Sequence, residues 1–100
     1  MDALLASLGP TDRLRAFSES RLGRLREYDR LHGAQLVQTL AAYFAAGRSL
    51  SATAERLHTH RNTVLYRLHR IEELTKAKLR DPAIELELQV ALRIAATLEP

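Results

Sequence analysis

Residues 50–74 read Leu50-Ser-Ala-Thr-Ala-Glu-Arg-Leu-His-Thr-His-Arg-Asn-Thr-Val-Leu-Tyr-Arg-Leu-His-Arg-Ile-Glu-Glu-Leu74. Ala54 and Leu57 stand three positions apart, so they share one face of a helix. Val64, Leu68 and Ile71 recur at intervals of four and three, so they share one face of a second helix. Polar residues separate the two sets. This pattern is typical of two helices joined by a tight turn, and it predicts a helix-turn-helix.

Small and branched side chains stand where the two predicted helices would cross. Ala54 allows the second helix to approach the first closely. Leu57, Val64 and Leu68 are then expected to fill the wedge between the helices, each contributing about 1.5–3 kcal/mol if it is fully buried. This packing would fix the angle at which the helices cross.

The second predicted helix has a polar outer face. Because its apolar stripe turns inward, its first turn and its opposite side are available to a partner. In helix-turn-helix readers the N-terminal part of this helix meets base edges, where Arg and Asn can make bidentate contacts with guanine and adenine. The residues predicted to face bases or groove walls are Arg61, Asn62, Leu65 and Tyr66. Those predicted to contact phosphates are Arg48, Ser51, His60, Thr63, Arg67 and Arg70.

Two of these assignments have a second interpretation. His60 is suited either to capping the second helix or to a phosphate contact. Arg67 lies beside the apolar stripe rather than opposite it. Its long side chain can therefore reach past Val64 either to a phosphate or to an acid within the domain.

Length and composition exclude several classes of protein. One hundred residues make one domain with a single core. The sequence has no cysteine, which excludes disulfide scaffolds, thiolate zinc sites and cysteine nucleophiles and is compatible with a reducing compartment. Its apolar runs are far shorter than the roughly 18 residues that span a bilayer, and its first residues lack a signal-peptide pattern. We expect a soluble, cytoplasmic chain with no membrane partner.

Positive charge is concentrated around the motif. The net charge of the whole chain is only +3. Residues 48–80 hold eight Lys or Arg against three acids, which gives a local surplus of five. A local basic patch is what binding to phosphates by counterion release requires. A solvated basic surface explains the same charge equally well, so charge alone does not decide between them.

The segment before the motif has apolar clusters but no continuous helical pattern. One cluster is Leu4-Leu5-Leu8, and Gly9-Pro10 and Gly23 interrupt the rest. The pattern predicts short helices, one of which starts near Asp12 and has weak support beyond Ser20.

A stronger helix is predicted from about Gly33 onward. Its apolar residues cover one continuous arc, and Gly47 is suited to the C′ position, where the backbone is left-handed. Either Ser49 or Ser51 can cap the helix that follows. Ser51 is preferred because the residues after it have a helical pattern.

Asp81-Pro82 predicts the start of a last helix, which runs to about Leu98, with Asp as N-cap and Pro at the first helical position. Its apolar residues form two stripes on nearly opposite sides. One stripe is Ile84, Leu88, Ala91 and Ala95, and the other is Leu86, Val90 and Ile94. One stripe can close the core of the domain. The other needs a second chain, an upstream domain or a locally folded N-terminal segment, and of these we favour a homodimer.

The stretch His60-Arg-Asn-Thr-Val-Leu-Tyr-Arg-Leu-His-Arg-Ile-Glu-Glu-Leu-Thr75 resembles the C-terminal helix-turn-helix domain of the PucR/CdaR family of bacterial transcriptional regulators. The resemblance extends upstream to Tyr28 and downstream to Leu92. It implies an all-α fold: a Fis-like helix-turn-helix with a three-helix core, an added C-terminal helix and short N-terminal helices. It also implies that duplex DNA is the partner.

Regulators of this kind carry the domain at the C-terminus, behind domains that respond to a metabolite. The resemblance therefore implies that residues 1–30 are a helical tail or linker from an upstream region and that residues 31–100 are the DNA-binding domain. It implies an effector sensed elsewhere in a longer protein, and dimerisation through the C-terminal helix or the upstream domains. Family members regulate purine, sugar-acid or amino-acid catabolism, usually as activators, so we expect a nucleoid-associated regulator of a catabolic operon.

Two residues depart from the family's pattern. Thr59 stands where the family usually has Val, so the small core of the turn is expected to be less well filled. Leu65 stands where the family often has Arg, which replaces a polar contact with a group suited to a thymine methyl.

Other functions have weaker support in the sequence. His58, His60 and His69 invite a metal site, but no thiolate or carboxylate accompanies them on one face, so we predict neither a metal nor a cofactor. Glu72-Glu73 diverge by about 100° on a helix and are expected to be surface charges, one of them suited to pairing with Lys76. No pattern indicates an enzyme. The main alternative is a protein-interaction module in which the helix-turn-helix is only structural.

Overall fold

The computed structural model describes residues 9–98, which form five α-helices and no strand. The helices are α1 (Pro10–His32), α2 (Leu36–Ala45), α3 (Leu50–Leu57), α4 (Arg61–Thr75) and α5 (Pro82–Leu98). The predicted all-α, helix-turn-helix fold is confirmed, with α3 and α4 as the motif. The apolar cluster Leu4-Leu5-Leu8 lies outside the described residues.

Helix α1 is one continuous helix of 23 residues, so the expected break at Gly23 and the expected series of short helices are wrong. Leu22 and Leu25, on either side of the glycine, are completely buried. Their burial outweighs the roughly 1 kcal/mol by which a glycine disfavours a helix interior. The helix begins at Pro10, and Asp12 lies in its first turn rather than before it.

One hydrophobic core unites all five helices. Its buried members are Leu22, Leu25, Leu36, Leu40, Ala54, Val64, Leu68, Ile71, Leu79, Leu88 and Ala91. Helix α1 packs extensively against α5, and the buried Ser18 hydroxyl of α1 donates a hydrogen bond to the Ala91 carbonyl of α5 at 3.0 Å. Helix α1 and the helices that follow it therefore share one core.

Helix α2 is held at both ends by contacts that satisfy its terminal backbone groups. At its start, the Asp29 carboxylate of α1 accepts hydrogen bonds from the N–H groups of Leu36 and Val37. At its end, Gly47 has a φ of 66° and the Arg48 N–H donates to the carbonyl of Tyr43 at 2.8 Å. The second arrangement is a Schellman motif with glycine at C′, as the sequence predicted.

Ser49, and not Ser51, caps α3. The Ser49 hydroxyl accepts a hydrogen bond from the Ala52 N–H at 3.1 Å, and Ser49 itself has an extended backbone. The preference for Ser51 was wrong because the helix begins two residues earlier than predicted, at Leu50, which packs against the core. Ser51 lies within the first turn and is exposed.

The wedge between α3 and α4 is filled largely as predicted. Ala54, Val64 and Leu68 are buried. Leu57 is only half-buried and lies outside the core cluster, so its predicted place in the wedge is not realised. The turn closes with a second Schellman motif, in which His58 has a φ of 54° and the Thr59 N–H donates to the Ala54 carbonyl at 3.0 Å.

The connection between α4 and α5 is fixed by acidic side chains. Glu72 accepts a hydrogen bond from the Leu79 N–H at 2.8 Å, which gives this residue a structural role in place of the expected pairing with Lys76. Asp81 accepts from the Ala83 N–H at 3.0 Å and caps α5, as predicted.

The two apolar stripes of α5 have different environments. In the first stripe Leu88 and Ala91 are buried, with Ile84 and Ala95 packed beside the core. In the second stripe Leu86 is 63% exposed. Val90 of the same stripe is also exposed, whereas Ile94 is half-buried, so the described chain leaves the first half of the second stripe uncovered.

Candidate nucleic-acid interface

Helix α4 exposes its first turn to solvent. His60 precedes the helix with an extended backbone, and its carbonyl accepts hydrogen bonds from the N–H groups of Thr63 and Val64 at 3.0 and 3.2 Å. The His60 side chain makes no capping bond and is exposed, as are Arg61 and Asn62. Three polar side chains therefore project from this end of the helix.

The residues predicted to face bases lie together on the outer side of α4. Arg61, Asn62 and Tyr66 are exposed, and Leu65 is half-buried. Asn62, Leu65 and Tyr66 are spaced by three and four positions, so they form a contiguous strip along the first two turns. This strip lies away from the face that Val64 occupies in the core.

The residues predicted to contact phosphates are in two kinds of environment. Ser51 and His60 are exposed, and Thr63, in the first turn of α4, is half-buried. Arg48 instead forms an ion pair with Glu85 of α5 at 2.9 Å, although about half of its side chain stays exposed. Arg67 donates a hydrogen bond to the buried Thr39 hydroxyl of α2 at 3.2 Å. Sequence reasoning missed both partners, because they are distant in the chain.

Arg70, the sixth predicted phosphate contact, is engaged by two tyrosines. Its guanidinium donates a hydrogen bond to the Tyr66 hydroxyl at 3.0 Å and lies 5.6 Å from the ring centroids of Tyr66 and Tyr28. The hydrogen bond and then the charge of Arg70 lower the pKa of Tyr66 below its ordinary value. The spacing of Tyr66 and Arg70, four apart on a helix, could have predicted their contact. No local signal indicates Tyr28.

Exposed basic residues flank α4 at both ends. Arg61 stands at its start, and Lys76, Lys78 and Arg80 are exposed in the connection that follows it. Part of the local excess of positive charge predicted from the sequence thus belongs to Lys and Arg side chains that are exposed to solvent. The ends of a helix of 15 residues are about 22 Å apart, which is enough for cations there to meet different phosphates.

Residues 9–98 offer neither a metal site nor a membrane-spanning helix. No group of three or more His, Cys, Asp or Glu side chains there is placed to hold a metal ion. None of the helices in that range is long and apolar enough to cross a membrane.

The sequence of α2 to α5 identifies the family. The family model of the PucR C-terminal helix-turn-helix domain matches residues 36–94. The chain belongs to the PucR helix-turn-helix family. The resemblance inferred from residues 60–75 is therefore confirmed. This PucR-type domain is a DNA-binding domain of transcriptional regulators. The match begins at α2, so α1 lies before it.

Relatives of this PucR-type domain include regulators from two bacteria. The chain is 40% identical over 90 residues to the purine catabolism regulatory protein of Bacillus subtilis, covering 90% of the chain and 17% of that protein. It is 42% identical over 73 residues to the carbohydrate diacid regulator of Escherichia coli, covering 73% of the chain and 18% of that protein. It is 33% identical over 60 residues to the DNA-binding transcriptional activator AdeR of Bacillus subtilis, covering 60% of the chain and 14% of that protein.

The PucR-type chain thus spans less than a fifth of the length of each of these three relatives. No solved structure matches it.

Proposed function

We propose that the domain binds duplex DNA selectively, with α4 in the major groove, as the DNA-binding part of a regulator of a catabolic operon. The observation that carries the proposal is the exposure of Arg61, Asn62 and Tyr66 on α4, whose inner face holds the buried Val64, Leu68 and Ile71. A buried inner face fixes the helix on the domain, and an exposed polar outer face is free to enter the groove. The relatives named for purine catabolism and carbohydrate diacids support a catabolic operon.

The exposed residues of α4 have distinct roles in this proposal. Arg61 and Asn62 read base edges, and each good contact contributes about 1–3 kcal/mol of discrimination. Leu65 meets a thymine methyl, and Tyr66 lies against the groove. Ser51, His60 and Thr63 contact phosphates. Arg48 joins them through the guanidinium donors that its pairing with Glu85 leaves available.

Arg67 has a different role. Its hydrogen bond to buried Thr39 turns it toward α2, so we assign it to holding α4 on the domain rather than to a phosphate.

The second stripe of α5 supports a homodimer. Leu86 and Val90 are 63% and 42% exposed on consecutive turns, and an apolar strip of this kind gains free energy when a second copy covers it. A two-fold dimer requires half-sites about 10 base pairs apart or a multiple of that spacing. Upstream domains of a longer protein are the other route to a dimer, and we place effector sensing there. In this proposal the protein acts at the nucleoid in the cytoplasm.

Duplex binding measured by fluorescence anisotropy tests the proposal. The native chain, Arg61→Ala and Asn62→Ala are titrated with promoter DNA from the gene's own neighbourhood and with scrambled DNA, at two salt concentrations. We expect salt-dependent binding that prefers the promoter and loses that preference in both variants. Arg13→Ala, on an exposed position of α1 far along the helix from α4, removes the same charge and is the matched control.

Two results would contradict the proposal. One is the absence of duplex binding at low salt. The other is selective binding that neither α4 variant changes. The first result would favour a protein-interaction module, in which α4 is structural and the exposed surface meets another protein. The second would show that a surface other than the start of α4 reads the DNA.

A further inference from the structure

Three side chains connect the C-terminal end of α1 to the outer face of α4. They are Tyr28, in the last turns of α1, and Tyr66 and Arg70 of α4, which we call the tyrosine–arginine cluster. Helices α1 and α4 pack against each other at this point. Tyr28 packs beside the core, whereas Tyr66 is 57% exposed. Arg70 lies between a fixed ring and a ring that projects into solvent.

The contacts of Arg70 leave it poorly placed to bind a phosphate. Its guanidinium lies over the rings of Tyr28 and Tyr66, 5.6 Å from each centroid, and donates a hydrogen bond to the Tyr66 hydroxyl at 3.0 Å. It also pairs with Glu73 at 3.4 Å. Only 34% of the side chain is exposed, and its Nε is buried with no hydrogen-bond partner among residues 9–98. Arg70 therefore has fewer donors open to a phosphate than Arg48, whose side chain is 53% exposed.

The same contacts restrict Tyr66. An exposed tyrosine without a partner samples several rotamers, and binding must then select one of them at a cost in entropy. A charge-assisted hydrogen bond together with a cation–π contact favours the rotamer in which the hydroxyl meets Arg70. Tyr28 restrains Arg70 in turn, because α1 is fixed by the core. The main restraint therefore runs from α1 through Arg70 to Tyr66, and the Tyr28 side chain adds a smaller direct interaction that also lowers the pKa of Tyr66.

We propose that Arg70, held by Tyr28, is a positioning residue that orients Tyr66 for the DNA groove and is not a phosphate contact. This inference rests on the proposed function in one respect, namely that Tyr66 meets DNA. It changes the role predicted for Arg70 from the sequence, and it adds a residue outside the family match, Tyr28, to the determinants of sequence preference.

The test compares Arg70→Met and Arg70→Lys with the native chain in the anisotropy assay, with promoter and scrambled duplexes over a series of salt concentrations. A positioning role predicts that both variants lose about two- to tenfold in preference for the promoter, the effect of leaving one side chain unordered, while the salt slope is unchanged. Lys does not rescue, because a point charge cannot reproduce a planar guanidinium that stacks and donates together. A phosphate contact predicts that Met lowers the slope by about one, that promoter and scrambled DNA weaken alike, and that Lys restores binding.

Tyr28 gives the second arm of the test. Tyr28→Phe keeps the ring over Arg70 and should retain most of the preference, whereas Tyr28→Leu removes the ring and should lose as much preference as Arg70→Met. The two losses should not add in a double variant, because both act through Tyr66. Additive losses, or full preference in Tyr28→Leu, would overturn the inference. If Tyr28→Leu does not fold, as judged by circular dichroism, the Arg70 pair decides alone.

A readout without DNA separates this inference from the proposed function. Ultraviolet absorbance follows tyrosine ionisation in the free protein. The variant Tyr66→Phe lacks the Tyr66 signal and so identifies it. Arg70→Met should raise the pKa of Tyr66. If the native chain fails to bind DNA selectively, the proposed function fails, and so does the role of Tyr66 in it, even where this titration shows the contact. If the native chain binds selectively and Arg70→Met lowers the salt slope, only the positioning role is overturned.

Discussion

The carboxylate of Asp29 on α1 accepts a hydrogen bond from the backbone N–H of Leu36, the first residue of α2, at 2.8 Å. Its other oxygen accepts from the N–H of Val37 at 3.1 Å. Gln35, at the N-cap position itself, makes no side-chain capping bond. One helix thus supplies the cap of the next across the turn that joins them, and a negative charge is placed at the positive end of α2.

Replacing Asp29 should therefore destabilise the domain. Asp29→Ala leaves two N–H groups of α2 without this acceptor, and we expect a loss of about 0.5–2 kcal/mol in the free energy of unfolding, measured by urea denaturation. Asp29→Asn should lose less, because one oxygen remains. Glu27→Ala, an exposed acid on the same helix, is the control and should change stability by less than about 0.5 kcal/mol. Equal effects of Asp29→Ala and Glu27→Ala would contradict the capping role.

Helix α1 should behave as part of the folded unit. Leu22 is fully buried between helices, so Leu22→Ala should cost about 2–5 kcal/mol, in the range of other Leu→Ala changes in cores. Leu14, on the same helix, is 48% exposed, and Leu14→Ala should change stability by less than about 0.5–1 kcal/mol. Similar small values for both, from thermal or urea unfolding, would show that α1 is not needed for the fold.

Arg67 and Arg61 should separate stability from DNA binding. Arg67→Met removes the hydrogen bond to the buried Thr39 hydroxyl, and we expect a loss of about 1–3 kcal/mol in stability with no change in the salt slope of duplex binding. Arg61→Met should leave stability within about 0.5 kcal/mol and alter binding, because Arg61 is exposed at the start of α4. Urea unfolding and anisotropy on the same samples measure both. A lower salt slope in Arg67→Met would show that Arg67 contacts a phosphate.

His58 should be a site where glycine stabilises the protein. It closes the turn of the motif with a φ of 54°, a conformation that costs a residue with a Cβ about 1–2 kcal/mol. His58→Gly removes this cost but adds about 0.5–1 kcal/mol of chain entropy, so we expect a net gain of up to about 1 kcal/mol in the thermal or urea unfolding free energy. His60→Gly, at an extended position, is the comparison and should give no gain.

Tyr66 should make stability depend on pH in the alkaline range. Arg70, chiefly through its hydrogen bond, lowers the pKa of Tyr66 below its ordinary value of 10.0. The ionised phenol is therefore favoured in the folded state. This contribution is absent below the folded pKa, grows as pH rises toward 10.0, and is complete above it. Relative to Tyr66→Phe, the native chain should become more stable over that interval, and parallel pH profiles would contradict the contact.

Local patterns predicted the motif, and contacts between distant residues account for the errors. Spacing alone located the buried Val64, Leu68 and Ile71, and glycine chemistry located the end of α2 at Gly47. The continuity of α1 through Gly23 could not be predicted, because it depends on what Leu22 and Leu25 meet in the folded chain.

For the candidate site, the sequence predicts which side chains lie on the outer face of α4 but not which of them have partners. The sequence of α4 identifies which side chains share its outer strip, since that follows from helical geometry. It does not show which arginines already have partners. Glu85 lies 37 positions from Arg48, and Thr39 lies 28 positions from Arg67. Neither contact can therefore be predicted from the spacing of neighbouring residues. The choice between Ser49 and Ser51 also failed, because two serines two positions apart give nearly the same capping pattern.

The unbroken length of α1 makes it a rigid rod. A helix of 23 residues is about 34 Å long, and its continuous hydrogen bonding transmits a tilt or a twist that a loop would absorb. The Pro10 end of this rod is remote from the outer strip of α4, while its other end carries Tyr28, against Arg70. Because α1 shares the core with α5, a force applied at Pro10 would reach Tyr28 and Arg70 only by shifting the whole rod against α5.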